Sequence, residues 1–259
     1  LSALRQVRNE MADKPLHIFT PGTVEIIRGG EPSEAPEGKG QNPPRGVVLN
    51  YHIRDEQEVS LTIEITDSDG NRVRTYSSEE GDFESCIISN MDQRLPFEVK
   101  YPPKEQGANK WVWDMRRNGL HCIDDIRLFE GFAGAYVIPG TYQARISIGD
   151  AEDTVILTLV ADRRFEAGSQ AITEVEQRVE EMTVLMNKLL DGLASIRKSR
   201  TQIEALMADF PEAELLQDLG RSAVDRLSAW EGKVVQVEYE TYEDEDNLPP
   251  KLVKQVRHL

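Results

Sequence analysis

The stretch Gly107-Ala-Asn-Lys-Trp-Val-Trp-Asp-Met-Arg116 decides how the rest of the chain is read. In an extended conformation Trp111 and Trp113 project from one face, while Lys110, Val112 and Asp114 project from the other. Two aromatics at that spacing can anchor a core between sheets, each burying roughly 150–250 Å², or form a platform on which sugar rings stack. The core reading is the working expectation. Trp111 and Trp113 are kept as the ligand-binding pair of the alternative.

Working outward, the same period of two recurs. Val47, Leu49, Tyr51 and Ile53 alternate with Val48, Asn50, His52 and Arg54. Val59, Leu61, Ile63 and Ile65 alternate with Ser60, Thr62, Glu64 and Thr66. Such alternation makes one apolar and one polar strand face. Asp67-Ser-Asp-Gly-Asn71 then separates the second run from Arg72–Tyr76, which predicts a hairpin, because Gly tolerates positive φ. The carboxylates of that turn resemble a calcium loop only superficially, since an EF-hand needs its Gly at the sixth position and a Glu at the twelfth. Downstream, Ile138-Pro-Gly-Thr-Tyr142 predicts a type II turn with Pro139 and Gly140 at its corners. Tyr142, Ala144, Ile146 and Ile148 alternate away from it, Gly149-Asp-Ala-Glu-Asp reverses the chain, and Val155, Leu157 and Leu159 alternate back. These runs predict an antiparallel β-sandwich over residues 47–164.

Residues 1–46 read as an entry segment and linker. Pro15–Pro21 is short, extended and apolar, bounded by prolines. His17 within it reads as a half-exposed strand residue rather than a ligand. Gly29–Pro44 is too rich in Gly, Pro and polar residues to build a core, and its glycines do not have phosphate-loop spacing. Leu95–Pro103 reads as a short edge segment, because its prolines exclude a central strand.

From residue 165 the period changes. Ser169 or Thr173 can cap a helix, with Glu176 completing a capping box after Thr173. Ile172, Val175, Val179, Met182, Met186, Leu189, Leu193, Ile196, Ile203 and Leu206 then follow at heptad-like steps. A continuous helix over Ala171–Ala208 is about 57 Å long, against roughly 30 Å for a small sandwich, so it needs a partner of its own. Asp209-Phe-Pro-Glu breaks it. Leu216, Leu219, Ala223, Leu227 and Trp230 form a second stripe that Gly232 ends, which predicts an antiparallel helical hairpin over 165–259. Homodimerisation through the long helix is the rival arrangement. Glu238–Asp246 reads as an acidic connector and Pro249–Leu259 as the start of a third helix. The start at Leu1 and the stop within that third helix lead to the expectation of a segment of a longer protein.

Asp+Glu 46 against Lys+Arg 30 gives a net charge of −16. Such a chain repels phosphate backbones and anionic membranes. Arg116-Arg117 and Arg163-Arg164 are isolated basic pairs, so no nucleic-acid partner is expected. No apolar run is long enough for membrane insertion. Cys86 and Cys122 permit one disulfide, worth about 3–4 kcal/mol in the chain-entropy model, or remain two thiols. Their spacing fits no zinc pattern. No catalytic, metal or cofactor constellation is visible. His52 and His121 have no adjacent nucleophile, Cys122 next to His121 points to the opposite face in a strand, and Asp124-Asp125 is an unspecific carboxylate pair.

The order of motifs adds a resemblance. Gln41-Asn-Pro-Pro-Arg-Gly precedes the strand through Tyr51. The Asp-Gly turn with Val73-Arg-Thr75 follows, then Gly107–Arg116, then Pro139-Gly-Thr-Tyr-Gln-Ala-Arg145, and a long helix after Asp162-Arg163-Arg164. Over most of residues 14–259 this resembles the C-terminal region of bacterial sortilin-like, BNR-repeat proteins, which are described as glycosyl-hydrolase-like. The resemblance implies an Ig-like sandwich behind a β-propeller, followed by a helical segment. It implies a secreted, periplasmic or envelope location, with that upstream propeller as the first partner and the helical hairpin open to a second protein. The function it implies is a non-catalytic accessory module. The alternatives are a carbohydrate-binding module and part of a glycoside hydrolase whose active site lies in the propeller. The segment Gly81–Val99 is longer than that module expects.

Overall fold

The structure is a computed structural model that describes residues 3–27, 43–79, 101–121, 123, 126, 132–164, 169–239 and 243–257. The chain is α+β, with two sheets and a long helical region. It forms two compact units. One draws on Leu1–Phe83, Val99–Asn118 and Gly134–Arg178, the other on Glu84–Glu98, Gly119–Ala133 and Val179–Leu259. The sequence divided the chain into 1–46, 47–164 and 165–259; here the entry segment falls within the first unit and Gly119–Ala133 within the second.

In the first unit, a 3₁₀ turn (Leu4–Gln6) and a one-turn helix α1 (Asn9–Ala12) lead into β1 (Leu16–Phe19). The first sheet joins β1 to β3 (Val47–Ile53), and β3 to β6 (Gly107–Trp113), antiparallel throughout. The second sheet runs β2 (Val24–Ile26), β8 (Ala151–Ala161), β7 (Gly140–Ile148), β4 (Leu61–Thr66) and β5 (Arg72–Ser77). So the expected entry segment supplies a strand to each sheet. Pro21 lacks a ladder donor and stops β1. Residues 20–23 then carry the chain to the second sheet, where β2 lies parallel to β8, with Val24 opposite Leu159. The purely antiparallel expectation is thereby corrected: the second sheet is mixed.

The alternation read from the sequence is the alternation of burial, except at Val59, which lies before β4 and is exposed. Along β3, Val47, Leu49, Tyr51 and Ile53 are buried and the residues between them are not. Leu61, Ile63 and Ile65 of β4 and Ala144, Ile146 and Ile148 of β7 join them, so both sheets contribute to one core. Tyr51 keeps its hydroxyl satisfied by donating to the Pro103 carbonyl.

The Asp-Gly turn forms as expected, with Gly70 at φ +82°. Asp67 Oδ1 accepts from the main-chain N–H of Asp69 (3.0 Å) and Asn71 (2.9 Å). Partial burial alone would raise the Asp67 pKa; the bonds from Asn71 and Asp69 outweigh it and hold the carboxyl below its usual value. The type II turn at Pro139-Gly140 does not form. Gly140 lacks the positive φ that type II requires at its second corner. It opens β7 instead, paired with Leu159.

In the second unit, α2 (Ser169–Asp209) enters from the first and is one unbroken helix of 41 residues. It begins at Ser169, so Thr173 and Glu176 lie inside it and form no capping box at its start. α3 (Glu214–Val234), the single-turn α4 (Asp244–Asn247) and α5 (Leu252–Arg257) complete the unit. The contacts between α2 and α3 run in opposite order along the chain. Met207 and Ile203 meet Gly220, while Arg200 and Arg197 meet Glu231. A side chain at 220 would place its Cβ 2.3 Å from Met207 Sδ, so glycine permits this approach.

Burial on α2 is narrower than its apolar stripe and slightly rotated from it. Met186, Leu190 and Leu193 are fully buried, whereas Val175, Val179 and Leu206 are exposed. The reason is the segment Gly119–Ala133, which the sequence assigned to the β region. Leu120, Ile123, Ile126 and Phe132 pack with Met186, Leu190, Leu193, Val234, Val253 and Val256 in one cluster. On α3, Leu219 and Trp230 of the expected stripe are likewise exposed, and Gly232 does not end the helix, which continues to Val234. Among the described residues no helix is long and apolar enough to cross a membrane.

Candidate functional site

Three places were indicated by the sequence or are assembled by the fold. The first is the tryptophan pair. Strand β6 directs both rings inward, where Trp111 is 5 % and Trp113 0 % exposed. Trp111 meets Tyr76 edge-on with centroids 4.4 Å apart, and Trp113 meets Tyr142 at 5.7 Å. Trp113 Nε1 donates to the Arg116 carbonyl at 3.2 Å. A stacking platform needs an open ring face, and neither ring has one.

Immediately after Trp113 the fold gathers residues that the sequence showed as unrelated. Asp114 Oδ1 accepts from the Arg116 main-chain N–H (3.1 Å) and from the Tyr76 hydroxyl (3.3 Å), and Arg74 Nη1 lies 3.2 Å from Asp114 Oδ2. The Arg116 guanidinium lies over Tyr136, 3.9 Å from its centroid, and donates to the Gly134 carbonyl at 2.8 Å. Burial pushes the Tyr76 phenol well above its ordinary pKa, so it remains a donor to Asp114. Between the two charges, buried Met115 holds φ +59°, an uncommon conformation for a non-glycine residue. The bond from Val137 N–H to the Met115 carbonyl (2.9 Å) pins it. These groups spend their hydrogen bonds on one another, so the corner fixes the chain's exit from β6. Its members come from β5 of one sheet, the chain just after β6 of the other and the segment before β7, so no local pattern announces that they meet.

The second place is His121. Its Nδ1 lies 2.6 Å from Asp191 Oδ1, and its main-chain N–H donates to Asn187 Oδ1 at 2.7 Å. Asn187 Nδ2 returns a bond to the Gly119 carbonyl at 3.3 Å. This arrangement fastens the loop to α2 above the buried Leu120. Cys86, Cys122, Asp124 and Asp125 lie outside the described residues, so the disulfide and the carboxylate pair do too. His17 pairs with His52 across β1 and β3; burial holds its pKa below the ordinary value, against the opposing pull of Asp153. Among the described residues no group of three or more His, Cys, Asp or Glu side chains is placed to hold a metal ion.

The third place is the end of the α2–α3 pair. α2 stops at Asp209 because Pro211 follows. Gln217 closes the turn, donating from Nε2 to the carbonyls of Met207 (2.8 Å) and Phe210 (3.1 Å). Deeper along the pair, Glu231 is 3 % exposed and is held by Arg197 Nε and Arg200 Nη1, each at 2.7 Å. Gln217 thus ties the end itself and the Glu231 clamp holds the pair together farther along, yet four large apolar side chains at the end face solvent. Leu206 is 46 %, Phe210 55 %, Leu215 74 % and Leu219 63 % exposed. Around them Glu204, Asp209, Glu212, Glu214 and Asp218 are also exposed. The sequence contained the signal: a stripe of Leu216 and Leu219 beside Leu215, too broad for one narrow contact. Comparison with protein-family models, with curated proteins and with solved structures gives no match.

Proposed function

We propose that this chain is a non-catalytic accessory module, an Ig-like β-sandwich followed by an antiparallel helical hairpin whose free end docks a protein partner. The observation that carries this reading is the exposed apolar surface at the tied end of α2 and α3. Apolar side chains held in fixed geometry on a soluble surface mark interaction sites. The two sheets that share one core support the sandwich, and the reversed order of α2–α3 contacts supports the hairpin. The sortilin-like resemblance suggests the setting, in which an upstream propeller belongs to the same secreted or envelope protein.

The reading is tested by placing the photo-crosslinking residue p-benzoylphenylalanine at Leu215 or, as a control, at the exposed Ile156 of β8, in source cells making the intact protein. A discrete heavier adduct from position 215 and none from position 156 is expected. No adduct from 215, or the same adducts from both positions, overturns it.

A further inference from the structure

We infer that the partner segment received by the α2–α3 end is a cationic amphipathic peptide, rich in Lys and Arg with one apolar face. This inference rests on the docking role proposed above and adds the chemistry of the occupant. Between Thr201 and Gly220 there are five acidic residues, Glu204, Asp209, Glu212, Glu214 and Asp218, and no Lys or Arg. They alternate along the chain with the exposed Leu206, Phe210, Leu215 and Leu219. Asp218 is paired with Arg221 at 2.7 Å, which leaves four of the five carboxylates for an incoming cation to meet first. An apolar stripe flanked by carboxylates is complementary to a helix with an apolar face and basic flanks.

The backbone is close to neutral here. The last carbonyls of α2 carry partial negative charge, but Gln217 donates to those of Met207 and Phe210 and the N-terminus of α3 adjoins them. The negative sign of this end comes from its carboxylates, Asp209 in the last turn of α2 among them, which an incoming Lys or Arg offsets. Charge also argues against the other occupants. A second copy would bring five more carboxylates to the same surface, and an anionic membrane would be repelled.

The test uses the intact chain and a labelled Lys/Leu amphipathic peptide of about 18 residues, followed by fluorescence anisotropy at about 0.15 M salt. A scrambled peptide of the same composition is run beside it. Leu215→Ser/Leu219→Ser and Glu212→Lys/Glu214→Lys should each weaken binding by about tenfold or more. Asp150→Lys/Glu152→Lys, the same charge change at the β7–β8 turn, should change it less than about twofold. Equal loss in both charge variants, or equal binding of the scrambled peptide, assigns binding to the net charge of −16 and overturns the inference. So does a dimer in sedimentation, or capture by phosphatidylglycerol vesicles, that is abolished by Leu215→Ser/Leu219→Ser. If the peptide fails while crosslinking at position 215 persists, the docking role stands and only the partner's chemistry falls. If both fail, the docking role falls with it.

Discussion

Trp113→Ala is expected to destabilise the β unit by about 3–5 kcal/mol, the range for deleting a large aromatic from a packed core. Trp113 is fully buried, stands opposite Val47 in the ladder and packs edge-on against Tyr142. Its indole N–H also holds the Arg116 carbonyl, next to the strained Met115. Truncation therefore opens a cavity between the sheets and releases the corner at the same time. Against a typical domain stability of about 5–15 kcal/mol the loss is large. Urea unfolding followed by circular dichroism reads it as a lowered midpoint. Trp113→Phe should retain most of the stability, because it keeps the ring volume and loses one bond. A Trp113→Ala shift below about 1 kcal/mol would show that the core is not centred on this ring.

Glu231→Ala is expected to cost about 3 kcal/mol, the low end of the range for removing one partner of a buried ion pair. The Glu231 side chain is 4 % exposed, while Arg197 and Arg200 are 23 % and 29 % exposed. Both guanidiniums are partly exposed and can recover water, which keeps the cost from the upper end. The loss should appear in the helical signal on heating, as α3 separates from α2. Replacing all three residues, Arg197→Met, Arg200→Met and Glu231→Met, should restore much of the stability, since it removes the charges together. If Glu231→Ala lies within about 0.5 kcal/mol of the parent, the pair is not held by this clamp.

Strands were legible where one face is buried and the other is not. Val47 to Ile53 and Leu61 to Ile65 show this, because a period of two is then a direct image of burial. What pairs with what was less legible. Leu16 opposite Ile53 and Val24 opposite Leu159 are set by contacts across long stretches of chain, so β1 and β2 read only as an extended entry. The helices show the converse. Their existence follows from the heptad steps, but the buried face does not. A stripe of apolar residues marks every face available for packing, and the loop carrying Leu120 and Ile126 selected Leu190 over Leu189. Leu219 and Trp230 were read as seam and face solvent. That mismatch between hydrophobicity and burial is what singles out the helical end as a surface. Asp114, Arg74 and Arg116 illustrate the remaining gap, since nothing in their spacing announces that they meet.

Trp111 and Trp113 are enclosed between the sheets and present no sugar-binding face. Acrylamide quenching of tryptophan fluorescence tests this most directly, in a Trp230→Phe variant that removes the one tryptophan on α3. A panel of soluble glycans is added in turn. Blue-shifted emission that acrylamide barely quenches and no glycan alters is the result predicted for rings enclosed between two sheets. Red-shifted emission that acrylamide quenches readily and one glycan protects would contradict it, and would make Trp111 and Trp113 a sugar-binding face.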